Sequence, residues 1–187
     1  MFYFWHKMDF IMKKAFLILV FVLSIVLPAK AQLYAGGGFA YYKNKVSYPD
    51  SEVKHFSISP EIGFRYHNLS AGLTFSYISK TYSNHSYSDL KQYIVEPYIR
   101  YDIITREKFG FFADAFYTYV NSTDIFGYIT HEVGISPGVF YKLTDRFSTL
   151  FRFGIVGYSS NESNGFKGFG INLSMSTSRI GFYYSFW

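Results

Sequence analysis

Few side chains in this sequence could carry chemistry, and each has a competing structural reading. His55-Phe56-Ser57 puts an imidazole and a hydroxyl on one side of an extended chain. A hydrolase could use them as base and nucleophile, but only with an acid to orient the imidazole. His85 and His131 have no second histidine at ligand spacing, which argues against a metal site. The chain has no cysteine, so thiolate nucleophiles, thiolate metal sites and disulfides are excluded. Gly36-Gly37-Gly38 has the look of a phosphate loop, yet no helix follows to supply the amide cradle, and glycines relieving a crowded strand is the better reading. What remains is a set of charges: Glu61, Arg65, Glu96, Arg100, Asp114, Glu132, Arg152 and Arg179, four acids and four bases without a lysine. No catalytic residue, metal or cofactor is assigned.

The elements that hold these charges are strands. Of 187 residues, 23% are aromatic and 17% charged, with 22 Phe, 19 Tyr and 15 Gly, a composition that argues against helical bundles and disorder. From Gln32 onward apolar residues recur at every second position, the signature of a strand with two unlike faces. Phe56, Ile58, Ile62, Phe64 and Tyr66 alternate with Ser57, Ser59, Glu61, Gly63 and Arg65, and Leu69 to Tyr77 repeats the pattern. Tyr93, Val95, Ile99 and Tyr101 oppose Gln92, Glu96 and Arg100; Phe109 to Tyr119 opposes Gly110, Asp114 and Thr118; Phe147, Phe151, Phe153 and Ile155 oppose Arg152 and Gly154.

The N-terminus reads differently. Met12-Lys13-Lys14, the apolar run Ala15 to Leu27 and Ala29-Lys30-Ala31 match a cleaved signal peptide over residues 12–31, preceded by a short extension. The run is short of the ~20 residues that a spanning helix needs. Residues 1–31 hold four of the 18 Lys and Arg and one of the 13 Asp and Glu, so the net +5 falls to +2 over 32–187. A nucleic-acid partner needs a basic face, and none survives that cut.

Short connections at 67–68, 102–108 and 143–146 alternate with longer polar segments at 43–54, 80–90, 120–130 and 157–167. This rhythm predicts an all-β, transmembrane, antiparallel up-and-down barrel of eight strands over residues 32–187, with ten as the alternative. The apolar parity flips near Thr177-Ser178, which predicts one long last strand with a bulge, its first half rising beside 155–160. Pro60, Pro97 and Pro137 fall inside strand patterns, and a shared bulge near the short-turn rim is the expectation for them. The apolar face, almost all Phe, Tyr and aliphatic, would aggregate in water and is at home in lipid. The other face, with Gly, Ser and paired Arg and carboxylate, suits a crowded lumen. There Glu61/Arg65 and Glu96/Arg100 are expected to form a salt-bridge ladder, in a lumen that side chains fill. Tyr41, Tyr66, Tyr77, Tyr101, Tyr119, Tyr141 and Trp187 fall at strand ends, as interface girdles do.

Phe56-Ser57-Ile58-Ser59-Pro60-Glu61-Ile62-Gly63-Phe64, Leu69-Ser70-Ala71-Gly72-Leu73, Gly138 to Phe147 and Gly154 to Ser160 resemble the small porin-family outer-membrane β-barrels of Bacteroidetes, related in architecture to OmpX and the OmpA barrel. The resemblance covers the whole segment after the leader and implies fold and a bacterial outer-membrane location rather than an activity. It also implies that Phe182, Tyr184, Phe186 and Trp187 form a C-terminal signal read by the barrel assembly machinery, and that outer-membrane lipids and lipopolysaccharide surround a monomer. The function expected is a structural or surface-interaction role through four extracellular loops over a closed polar lumen, without enzyme activity. A low-conductance porin is the rival reading. A lipid hydrolase is the third, and it is disfavoured because the catalytic set of such barrels faces lipid whereas His55 and Ser57 share the lumen parity.

Overall fold

The computed structural model describes residues 31–47, 50–82, 90–123, 128–162, 165, 167–173 and 178–186. The leader, His85 and Trp187 lie outside these, as does most of the predicted loop sequence at 83–89 and 124–127. Among the described residues ten strands run in order: β1 (Gln32–Ser47), β2 (Asp50–Tyr66), β3 (Leu69–Tyr82), β4 (Leu90–Thr105), β5 (Phe109–Ser122), β6 (Tyr128–Lys142), β7 (Phe147–Arg152), β8 (Ile155–Asn161), β9 (Lys167–Asn172) and β10 (Arg179–Ser185).

All pairings are antiparallel, and β1 to β7 follow one another around a wall that β10 closes between β7 and β1. The fold is a closed antiparallel barrel of eight staves. The two extra strands are continuations: β8 extends β7 along the upper half of β6, and β9 pairs with β8 through Ile155↔Asn172 to Ser160↔Lys167. The predicted rise of the last strand beside 155–160 is therefore present. Its interruption is larger than a bulge, because residues 173–178 separate β9 from β10 while only Phe153 and Gly154 separate β7 from β8.

Gly154 explains a second departure. Its φ of 68° is a left-handed backbone that favours glycine. Register against β6 shifts by one residue there, from Gly138↔Arg152 to Ile135↔Val156. A one-residue slip turns every following side chain over. Ile155, expected on the apolar exterior, packs against the interior cluster, and Val156 and Tyr158 face out instead.

The prolines also differ from expectation. Pro137 adjoins that shift, and its carbonyl accepts Phe153 N–H at 3.0 Å. Pro60 and Pro97 each pair normally on one side and leave a gap on the other without a shift of register. They sit next to Glu61 and Glu96 in the middle of the barrel rather than at its rim. Each gap spans two residues, and pairing resumes in the same register beyond it.

The short connections at 67–68 and 143–146 are as predicted, while that at 102–108 shrinks to 106–108 because β4 runs on to Thr105. His67, at φ 53°, turns β2 into β3 with Asn68, and Thr144 Oγ1 accepts Phe147 N–H at 2.9 Å in the β6 to β7 turn. The segments expected to be long loops are largely strand. β1 and β2 stay paired up to Ser47↔Asp50, and an exposed Lys43–Glu52 ion pair at 3.0 Å lies on this extension. Strands of 14 to 17 residues in β1 to β6 exceed the ~9–11 needed to cross a bilayer. The excess is polar sequence that completes its backbone hydrogen bonds as hairpins beyond the apolar band.

Candidate functional site: the lumen and its vestibule

The odd and even parities place the charged set inside. Glu61 and Arg65 come from β2, Glu96 and Arg100 from β4, Asp114 from β5, Glu132 from β6, Arg152 from β7 and Arg179 from β10. Glu96, Arg100, Asp114 and Arg152 are buried. Arg100 holds Asp114 as a two-pronged fork, Nε to Oδ1 at 2.8 Å and Nη2 to Oδ2 at 2.9 Å. Glu96 takes Arg152 Nη2 at 2.7 Å and Arg179 Nη1 at 3.0 Å on one oxygen and Thr118 Oγ1 at 2.9 Å on the other. Arg152 also reaches Asp114 at 3.5 Å, which joins the two groups into one network.

The expected Glu61/Arg65 and Glu96/Arg100 pairs are not formed. Four residues along a strand span about 13 Å at ~3.3 Å per residue, too far for contact, whereas facing strands of a narrow barrel bring unlike charges together. Arg65 turns instead to Asp102, Nη2 to Oδ2 at 2.7 Å. Sequence reasoning missed Asp102 by assigning 102 to a turn; its even number continues the inward parity of Gln92, Glu96 and Arg100. Glu132 faces inward opposite Thr118 and Ser159, above the network, and makes none of its ion pairs.

Glu61 is bound mainly by phenols. Tyr98 and Tyr183 both donate to its carboxylate, Tyr183 at 2.7 Å, with Thr74 at 3.4 Å, while Arg100 stands 4.0 Å away. Tyr34 hydrogen-bonds Tyr98. These tyrosines, with Phe112, Phe116, Phe140 and Leu150, make the buried core of the molecule, which therefore lies inside the barrel. The Arg100 guanidinium lies 4.4 Å from the Phe112 ring centre, Arg152 5.3 Å from Phe116 and Arg65 5.6 Å from Phe140, so cations and rings alternate along the lumen.

Glycines make room for these rings. A Cβ on Gly63 or Gly72 would lie 2.5 Å or less from the hydroxyl of Tyr34 or Tyr98, and one on Gly138 would lie 2.2 Å from the Phe112 ring. A Cβ on Gly36, in the triplet read as strand relief, would clash with Phe182 O and lie 2.6 Å from the Tyr183 ring. Inward rings on the polar parity, each facing a glycine, were the signal that could have found the plug.

Above the plug the lumen widens to a cavity of about 530 Å³. Its floor is Glu61, Arg100, Phe112, Leu150, Arg152 and Tyr183, and His55 and Ser57 are on its wall with Ser59, Ser76 and Lys80. At the short-turn end a smaller hollow is bounded by Arg65, Phe140 and Leu150. The plug lies between the two. On the outer wall Tyr117 hydrogen-bonds His131 Nδ1 at 2.6 Å, and Glu162 lies 3.1 Å from Nε2. Among the described residues there is no cluster of three metal-ligating side chains.

Residues 30–175 match the family model described as "Putative MetA-pathway of phenol degradation", well over half of the chain. The chain belongs to this family. No curated protein matches it. Among solved structures it is similar to Neisserial surface protein A, with 17% identity over 83% of this chain and 92% of that one and a TM-score of 0.41. It is also similar to the in-vitro folded trimer form of OmpT, an outer-membrane protein of Vibrio cholerae, with 13% identity over 85% of this chain and a TM-score of 0.37. The chain spans 53% of the length of that OmpT chain.

Proposed function

We propose that the protein is an integral outer-membrane barrel with a sealed lumen, which works at the cell surface through its vestibule and loops and carries out no catalysis. The carrying observation is the plug: Tyr34, Tyr98, Tyr183 and Phe112 pack between the vestibule and the short-turn end while Glu61, Arg100 and Asp114 fix them by hydrogen bonds and charge. An eight-stranded lumen is about filled by side chains. Outward-facing apolar side chains around the wall, Ile58, Ile62, Phe75, Ile99, Val133 and Ile135 among them, support a lipid surround. The signal peptide at 12–31 sends the chain across the inner membrane, the short turns face the periplasm, and Phe182, Tyr184, Phe186 and Trp187 are read by the assembly machinery. In finer detail the protein is a monomeric, OmpX-like barrel of the Bacteroidetes type without a cofactor, surrounded by outer-membrane lipid and lipopolysaccharide.

Fractionation is expected to recover the protein with the outer membrane in a form whose gel mobility changes on heating; recovery in the soluble periplasm would overturn the assignment. In planar bilayers the wild-type protein is expected to give no reproducible openings. Stable openings whose conductance changes in Arg100→Gln would replace the sealed barrel with a second reading, a low-conductance path for small solutes. The vestibule and the opposite hollow favour that reading, and the family description makes a small phenolic compound the solute to try.

A further inference from the structure

The vestibule carries a surplus of positive charge. Its lining holds two carboxylates, Glu61 and Glu96, against four cations, Lys80, Arg100, Arg152 and Arg179. Asp114, buried behind that lining, holds Arg100 in its fork. Glu132 faces inward on β6 but is not among the lining side chains. Three acids therefore meet four bases, and one positive charge is left over at the cavity.

The surplus has a place. Arg179, at the start of β10, registers with Arg152 of β7, so two guanidinium groups stand side by side and share Glu96. Like charges directly opposite on paired strands repel. Arg152 has a second acceptor in Asp114 at 3.5 Å, whereas among the described residues Arg179 makes one bond, Nη1 to Glu96 at 3.0 Å. A guanidinium carries more donors than that, arranged as a fork. The Arg179 side chain is 40% exposed although it lines an interior cavity, so its remaining donors open on the vestibule. Lys80 faces the same cavity from β3, where it registers with His55, and no carboxylate of the described residues is within ion-pair distance of it.

A second, independent feature points into the same space. The Ser76 hydroxyl lines the cavity, is 7% exposed and has no hydrogen-bond partner. Ser76 is the next inward position above Thr74, which registers with Glu96, so it stands on the wall just above the bond between Glu96 and Arg179. A buried hydroxyl without a partner is a cost that a bound acceptor removes. Arg100 shows what a guanidinium in this lumen does with a carboxylate, two parallel bonds at 2.8 and 2.9 Å. Ile78, Ile94 and Leu150 line other parts of the cavity and offer only apolar surface. We propose that the vestibule is a binding pocket for a small monocarboxylate with an apolar body, its carboxylate held by Arg179 and Ser76 with Lys80 as the second positive charge. A volume of 530 Å³ is in the range of small-molecule sites. The inference rests on the sealed-barrel reading above, because the plug makes the cavity a dead end that holds its ligand rather than passing it on.

The probe is hexanoate, titrated by calorimetry into the full mature chain in lipid nanodiscs, with empty nanodiscs as the lipid background. Hexanamide and hexylamine keep the apolar body and change the charge. Hexanoate is expected to bind roughly tenfold or more tightly than hexanamide, with hexylamine weakest, and to shift the Ser76 and Arg179 amides in NMR spectra. Arg179→Gln is expected to weaken hexanoate by roughly tenfold or more, and Arg179→Lys to restore part of the loss. Lys80→Gln and Ser76→Ala weaken it less, and Glu132→Gln leaves it as tight or tighter. Heat-dependent gel mobility shows which variants are folded; if Arg179→Gln is not, Lys80→Gln and Ser76→Ala decide. Hexanamide or hexylamine binding as tightly as hexanoate, hexanoate indifferent to the substitutions, or amide shifts confined to the outer wall would overturn the pocket. Passage of hexanoate into proteoliposomes would sink the sealed-barrel reading while leaving the charge preference of binding as a separate result.

Discussion

Glu96→Gln is expected to destabilise the barrel by about 3–5 kcal/mol, the penalty for removing one partner of a buried ion pair. The carboxylate is 2% exposed and is the shared acceptor of two guanidinium groups, Arg152 at 2.7 Å and Arg179 at 3.0 Å. Glutamine keeps the shape and can still accept one hydrogen bond. It removes the charge that makes two cations tolerable among rings, and Arg152 retains only the longer 3.5 Å contact with Asp114. Urea unfolding of the protein in lipid vesicles reads the loss, as does the temperature of the heat-dependent gel shift. Glu52→Gln is the control. Its pair with Lys43 has the same short distance, 3.0 Å, but both side chains reach solvent, so no change of midpoint is expected. Equal effects of the two substitutions would mean that the lumen network is as well hydrated as the surface.

Gly138→Val is expected to destabilise by about 3 kcal/mol, the upper end of ordinary overpacking. The ring it would strike cannot retreat. Phe112 is 1% exposed, and the Arg100 guanidinium, fixed by its fork to Asp114, stands 4.4 Å from the ring centre. A new Cβ would sit 2.2 to 2.7 Å from three ring carbons. The discriminating variant is the double substitution. Phe112→Ala alone leaves a cavity and loses about 3–5 kcal/mol. Adding Gly138→Val to it puts the valine methyls into that space, so the double variant should be at least as stable as Phe112→Ala alone. A double variant that loses the two single effects in sum would show that the glycine serves the strand backbone and not the ring.

The sequence alone carried the fold class a long way. A period of two with unlike faces fixes which side chains can meet lipid, because a pleated strand offers no other choice, and the eight staves, the short turns and the rise of the last strand beside 155–160 were all legible. The inward parity of the charged set was equally legible. The partners were not. Parity says that Glu61 and Arg65 share a face, but contact is decided across the lumen, where stagger between strands brings Arg65 to Asp102 and Glu61 to Tyr98 and Tyr183. The aromatic plug was hidden for the same reason: Tyr98, Phe112 and Tyr183 share the inward parity of the charges, but that they close the lumen is decided only when the glycines opposite them are placed. Gly154 was decisive and silent: one left-handed residue reverses the facing of β8, and glycine in a strand does not announce its φ. Alternation is local and was therefore written in the chain. Pairing across the lumen depends on register and closure, which only the assembled wall sets.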